Sequence, residues 1–219
     1  MKRLIPLLLF LVVITTAYAQ RKKEFQIRGG FGFAVYGTTS EVTFKGFNPD
    51  LTVRDEDGAV TVHMPLELRY EFSHRFNAGL DMKFGSYLYD PDSAKGKSNG
   101  FFVIGIGLEY NFISNDNFRW YAGIGFNTST LELEENFDYY GAPVKREYKY
   151  VGPGFRLNSG VLWFFSPVLG LNANLGYDGH NFTLKELKNN GQQVLNLYDV
   201  DATLDVSGMD LTLGLALRF

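Results

Sequence analysis

The chain has no cysteine. That excludes disulfides, thiolate metal centres and a lipidated N-terminal cysteine. The formal net charge is −3 over 219 residues, too small to mark a nucleic-acid partner, and none is expected. Histidine is scarce, at three residues. Past residue 19 no apolar run reaches the roughly 18 residues that a membrane helix needs. The most apolar later stretch, Val161-Leu162-Trp163-Phe164-Phe165, is stopped by Ser166-Pro167.

Other residues are plentiful. Hydrophobic residues make up 45% of the chain, with 20 Phe, 13 Tyr and 24 Gly. Wholesale disorder is excluded by that content. The first twenty residues, MKRLIPLLLFLVVITTAYAQ, have a basic start, an apolar run from Leu4 to Ile14 and an Ala17-Tyr18-Ala19 exit. This pattern predicts a secretory signal peptide over 1–19 with cleavage after Ala19, leaving a single domain over 20–219. A membrane anchor is the alternative, but the run is short for one and ends in small residues. Loss of Lys2 and Arg3 leaves 19 basic residues against 24 acidic ones, a net charge of −5.

Strict alternation dominates the rest, in eight runs of strand period. Examples are Phe25, Ile27, Phe31, Phe33 and Val35 against Gln26, Arg28, Gly30 and Gly32, and Leu211, Leu213, Leu215 and Leu217 against Thr212, Gly214 and Ala216. Three connections are short: Ser73-His74-Arg75, Ser114 to Asn117, and Ser166-Pro167. Four are long and are expected to be loops, at about 38–59, 90–100, 131–151 and 179–206. Short turns at one end and long loops at the other mark an up-and-down barrel that crosses an outer membrane. A β-sandwich would also alternate, but nothing in it sorts loops by length. The predicted fold is therefore all-β: a closed antiparallel transmembrane barrel of eight strands. Closure leaves no unpaired edge in lipid. Tyr70, Phe72, Phe76, Tyr110, Phe112, Phe118, Trp120, Trp163, Phe165 and Phe219 flank the short turns or the C-terminus, where an interfacial aromatic belt belongs.

The closing stretch, GMDLTLGLALRF, resembles the C-terminal signal read by the barrel-assembly machinery, with Phe219 as its last residue. The eight runs together resemble the small eight-stranded outer-membrane barrels of the OmpA/OmpX/OmpW type, a porin-like class, over the whole mature chain. That resemblance implies the outer membrane of a Gram-negative bacterium, periplasmic termini, and contact with outer-membrane lipid and lipopolysaccharide. Full-length OmpA-type proteins carry a peptidoglycan-binding domain after the barrel; none is expected here.

The inward parity collects Arg28, Arg69, Lys83, Arg119, Arg156 and Arg218 with Glu67, Glu71, Asp81, Glu109 and Asp210. Paired charges persist where isolated ones would not. The favoured reading is a charged network that fills the lumen. The alternative is a narrow channel or small-solute conduit through the same residues. A wide pore is not expected from eight strands.

Catalytic and metal signals are weak. Lipid A deacylases of this architecture hold His and Ser close together on a lipid-facing surface, and here no His lies two residues from a Ser. His63 points inward, His74 sits in a turn and His180 falls in a long loop. Asp55-Glu56-Asp57-Gly58 and Asp90-Pro91-Asp92 lack full calcium-loop spacing. No catalytic residue, cofactor or metal site is assigned, and an enzyme is not expected. The third long loop is more informative. Its arms alternate about Tyr140-Gly141-Ala142-Pro143, which predicts that the fifth and sixth strands continue above the membrane. Tyr139, Tyr140, Tyr148 and Tyr150 are then candidate outward contacts for an unidentified surface partner, or ornaments on a stiff hairpin. A similar hairpin is expected about Asn189-Asn190-Gly191.

Overall fold

Side chains alternate faces along a strand, so each run needs lipid or core on its apolar side. All eight runs are strands. The computed structural model describes residues 24–45, 50–89, 99–139, 142–193 and 200–219. In chain order the elements are β1 (Glu24–Phe44), β2 (Leu51–Ser73), β3 (Phe76–Tyr89), β4 (Asn99–Ser114), β5 (Phe118–Tyr139), β6 (Ala142–Phe164), β7 (Leu169–Asn189), β8 (Gln192–Gln193) and β9 (Val200–Arg218). Two-residue β8 only extends the hairpin of β7. The other eight pair antiparallel with their chain neighbours, and β9 pairs with both β7 and β1, which closes the ring. Residues 1–23, and with them the signal segment, lie outside the described residues.

The outward face is apolar. Leu80, Ile106 and Leu213 are 46%, 63% and 59% exposed, whereas their neighbours Asp81 and Thr212 are buried. This apolar band has a sharp upper limit. On β1 it runs from Phe25 to Val35 and then gives way to Gly37, Thr39, Glu41 and Thr43. Val35 pairs with Val60 and Met209, and Met209 with Tyr177, so the limit is level across four strands. From Phe25 to Val35 the strand has the length that crosses a bilayer, about 9–11 residues.

Above this limit the expected continuation of β5 and β6 and the expected hairpin about Asn189-Asn190-Gly191 are both present, while β1, β2 and β9 extend as strand through segments expected to be loops. Most of 38–59, 131–151 and 179–206 is strand: β1 and β2 stay paired up to Phe44 and Leu51, and β5 and β6 up to Tyr139 and Ala142. Alternation alone hid the upper parts of β1, β2 and β9 because their apolar phase inverts where lipid ends. Below the limit apolar residues point out; above it Phe101, Leu131, Phe182, Leu204 and Val206 point in. His180, expected in a loop, therefore lies on β7 and is buried. Two prolines interrupt the ladder because they lack an N–H. Pairing lapses without a change of register between Gly29–Leu66 and Gly32–His63, beside Pro65, and between Val151–Thr183 and Gly154–His180, at Pro153; the β6–β7 register itself shifts higher up, between Lys149 and Tyr150.

Candidate functional site

The lumen is built in layers from inward-facing residues of every strand. At the short-turn end Arg119 reaches Glu71 at 2.9 Å and Glu24 at 2.6 Å. Arg218 lies over the Phe164 ring, 4.1 Å from its centroid, and donates to the carbonyls of Pro167 (2.6 Å) and Asp116 (2.8 Å). Tyr121, Leu162, Phe164 and Ala216 form a small buried cluster there.

The middle layer centres on Glu109. Its two oxygens accept from Arg28 Nη1 and Nη2, both at 2.9 Å, and Oε1 also accepts from Arg69 Nε at 2.8 Å. Bidentate guanidinium–carboxylate pairing of this kind gives strength and fixed geometry. Arg69 also donates to Asp81 at 2.5 Å, and Glu67 stands 3.5 Å from Arg28 and 3.6 Å from Arg69. Arg28 stacks over the Tyr121 ring.

One layer higher, Arg156 lies 3.4 Å from Glu67, 3.7 Å from Asp178 and 4.0 Å from Asp210. Lys83 bridges Asp178 and Asp210, the latter at 2.6 Å. His63 Nε2 stands 3.2 Å from Asp210 Oδ2. The eleven charged residues expected inside come together in two groups of ion pairs: Arg119, Arg218 and Glu71, joined through Glu24, at the short-turn end, and the other eight above them. Asp178 and His63 join the upper group. The signal for Asp178 and Glu24 was available, since Asp178 shares the inward parity of Asn172 and Asn174 and Glu24 that of Gln26.

Over the charged layers lies an apolar cluster that sequence reasoning missed. Tyr36, Tyr87, Phe101, Val103, Leu131, Phe182, Leu204 and Val206 are buried together, with Leu133 and Tyr150 packed against them. Within it the structure joins Ser129 and His180, 51 residues apart, through a 2.8 Å hydrogen bond. The His180 ring meets Tyr36 and Phe101 edge-on and stacks with Phe182. The pair is inside and enclosed, unlike a lipid-facing hydrolase site. Among the described residues no group of three His, Cys, Asp or Glu could hold a metal ion.

Above the mouth the wall divides. Pairing of β7 with β9 ends at Thr183–Thr203, and that of β3 with β4 at Tyr87–Asn99. Among the described residues two blades remain: β2, β1 and β9 form blade one, and β5, β6 and β7 form blade two. On the outer face of blade two the rows read Glu132–Lys149–Glu186 and Glu134–Glu147–Lys188. Lys145 bridges Glu134 and Glu147, at 2.9 and 2.8 Å, and Lys188 meets Glu186 at 2.7 Å. Hydrogen bonds from Lys145 and Lys188 hold the Glu147 and Glu186 carboxyls below the ordinary range and raise the two ammonium groups in turn.

The tyrosines of this hairpin are not displayed as expected. Tyr148 and Tyr150 are half-buried and stack with each other, and Tyr150 packs on the mouth cluster. The reason is parity: both share the inward face of β6 with Arg156 and Leu162. Tyr148 is further held by Glu135 and Arg146. The Tyr139 main chain pairs with Ala142 at the hairpin end, and Tyr140 lies outside the described residues. Phe219 is exposed at the short-turn rim, its main chain bonded to Phe25.

Comparison with known proteins agrees with this architecture. The chain is similar in fold to the outer membrane protein OprG of Pseudomonas aeruginosa, at 17% identity over 92% of this chain and 98% of that one, with a TM-score of 0.58. It also aligns with Ail, the attachment invasion locus protein of Yersinia pestis, at 15% identity over 91% and 100% of the two chains and a TM-score of 0.42. No curated protein sequence matches. The profile of the outer membrane protein beta-barrel domain matches residues 5–219, and the chain belongs to that outer-membrane family.

Proposed function

We propose that this outer-membrane protein is a closed, non-catalytic barrel that acts through contacts at the cell surface. In this reading residues 1–19 are removed on export, the termini lie in the periplasm, and Phe219 serves as the assembly signal. The observation that carries it is the filled interior. Buried ion pairs span the middle of the lumen, and an apolar cluster crosses its upper mouth. Lipid claims the outer face, so the blades are left free for recognition, as surface elements on a rigid scaffold commonly are. Blade two, with its Tyr139 to Tyr150 hairpin, is one candidate contact.

Planar-bilayer recording of the purified protein tests the closed state. The expected trace shows no steady conductance. Large, stable openings would refute the closed barrel. A narrow conduit is the second reading, favoured by the stacked layers of charged residues between Arg119 and Asp210. Small gated currents that change on Glu67→Gln or Arg69→Gln would establish it instead.

A further inference from the structure

Blade one is amphipathic in the opposite sense to the barrel beneath it. Its inward rows, from the top, begin Phe44–Leu51, then Val42–Val53–Ala202, then Ser40–Asp55–Leu204, then Thr38–Asp57–Val206. On β9, Ala202, Leu204 and Val206 are covered by the mouth cluster or its surroundings. At the top Phe44, Leu51 and Val53 are uncovered, at 38%, 53% and 53% exposure. They stand several rows above Val35, where the lipid-facing band ends. Nine residues of β1 beyond Val35 carry the blade roughly 30 Å along the strand, so acyl chains do not reach these side chains.

The outward face at the same height is hydrophilic and internally paired. Thr43 and Thr52 share a 3.0 Å hydrogen bond, Arg54 meets Glu56 at 2.9 Å and Lys45 meets Asp201 at 2.6 Å. The blade as a whole is acidic. Glu41, Asp55, Glu56, Asp57, Asp201 and Asp205 face only Lys45 and Arg54, and both cations are already engaged. Asp55 and Asp57 sit on the inward face directly below Val53. They accept hydrogen bonds from the main-chain N–H groups of Glu56 (3.0 Å) and Gly58 (2.7 Å), and among the described residues no cation pairs with either.

We infer that the inward face of blade one binds a cationic amphipathic peptide segment. Apolar side chains of the peptide lie on Phe44, Leu51 and Val53, and its Lys or Arg side chains meet Asp55 and Asp57. This rests on the surface-contact reading and supplies the chemistry of the partner. The apolar burial gives most of the affinity. The carboxylates choose the partner, because like charge across an interface is strongly disfavoured. An anionic sugar or headgroup meets repulsion here, and a neutral apolar molecule leaves both aspartates unused.

The test uses the barrel in zwitterionic nanodiscs free of lipopolysaccharide, with empty nanodiscs subtracted. The probe is a fluorescent amphipathic peptide of Leu and Lys, compared with a Leu–Glu peptide of the same pattern. The Lys peptide should bind and the Glu peptide should not. Phe44→Ser with Val53→Ser should weaken binding about tenfold, the loss of roughly 1.4 kcal/mol of apolar contact. Asp55→Asn with Asp57→Asn should weaken it at low salt and have less effect at high salt. Heat-dependent gel migration identifies folded barrels among the variants. Equal binding of the two peptides, or binding untouched by both variants, overturns the inference. So does full displacement of the Lys peptide by a neutral detergent chain. If the peptide is lost instead when the hairpin of blade two is removed, surface contact stands and the assignment to blade one fails. If no blade variant changes capture of any partner from native outer membrane, both readings fail.

Discussion

Glu109 is the carboxylate that two buried guanidinium groups share at hydrogen-bond distance; Glu67 stands farther from both, at 3.5 and 3.6 Å, and Asp81 meets only Arg69 of the two. Glu109→Gln leaves Arg28 and Arg69 short of one charge in a site closed to water. Breaking a buried pair from one side costs about 3–5 kcal/mol, so the urea midpoint of the barrel in lipid vesicles should fall markedly. A midpoint within error of the parent would mean that the network is not a stability element. On the opposite face, Leu213→Arg places a charge in lipid and should cost about 2–4 kcal/mol. Spin labels at 212 and 213 should report a polar and a lipid environment respectively; equal quenching by a lipid-soluble agent would contradict the register. These facings were legible in the sequence, because period-two alternation settles which neighbour meets lipid once one face is assigned. The pairing was less so. Nothing in a one-dimensional pattern says that Glu109 binds Arg28 across 81 residues. Gly32 illustrates the same limit: a Cβ there would overlap the His63 ring, a fact of cross-strand packing that composition does not carry.

At the scale of the strand, the eight runs and the hairpins at the tips of β5–β6 and β7 were readable, but the upper ends of β1, β2 and β9 were not. A strand that leaves the membrane exchanges lipid on its outside for a packed cluster on its inside. Its apolar residues then change parity, as β5 does between Phe126 and Leu131 and β7 between Tyr177 and Phe182. A search for one unbroken phase stops at that point, whereas a search for a phase reversal would have followed the strand to its tip. The β5–β6 hairpin and the Asn190-Gly191 turn were legible for a local reason. Asn190 and Gly191 adopt φ of 50° and 79°, which these residue types accommodate readily. Replacing Glu134–Lys149 by a two-residue turn should leave the barrel folded, since shortening a surface hairpin removes no membrane pairing. Heat-dependent gel migration checks that outcome. In the intact blade, Glu147 and Glu186 titrate below the ordinary carboxylate range and Lys145 and Lys188 above the ordinary ammonium value. Lowered carboxylates contribute stability that is lost as pH falls through their folded values. Raised ammonium groups contribute stability that is lost as pH rises through theirs. Both contributions are present from about pH 5 to pH 10, and both are small because the groups are exposed. Exchange protection at 145–149 and 186–188, corrected for intrinsic rates, should be flat over that window and decline below about pH 4. A decline centred near neutrality would show that other groups control the blade.

For the whole molecule, the interior holds two barriers in series rather than one. The charged layers follow from inward parity and were expected. The apolar cluster above them was not, because Ala59, Leu131, Phe182, Leu204 and Val206 come from three segments that read as loops and join Tyr36, Tyr87, Phe101 and Val103 only after the ring closes. The two barriers oppose different things. The ion pairs occupy the space where an ion would pass and fix it with matched charge. The aromatic cluster excludes water from the mouth, since its packed apolar side chains offer no hydrogen-bond partners to replace bulk solvent. A current therefore requires both to fail. Phe101→Ala with Phe182→Ala should leave bilayer conductance at baseline, because Arg156, Lys83, Asp178 and Asp210 still fill the next layer down. Lys83→Ala with Arg156→Ala should also remain closed, because the cluster above is intact. Only the fourfold variant should conduct, with a preference for cations, since Asp178 and Asp210 would then line the path without Lys83 and Arg156. Conductance from the upper pair alone would show that the charged layers already pass ions and that the aromatic cluster is the gate. Silence from a correctly folded fourfold variant would mean that Arg28, Arg69 and Glu109 form a third barrier sufficient by itself.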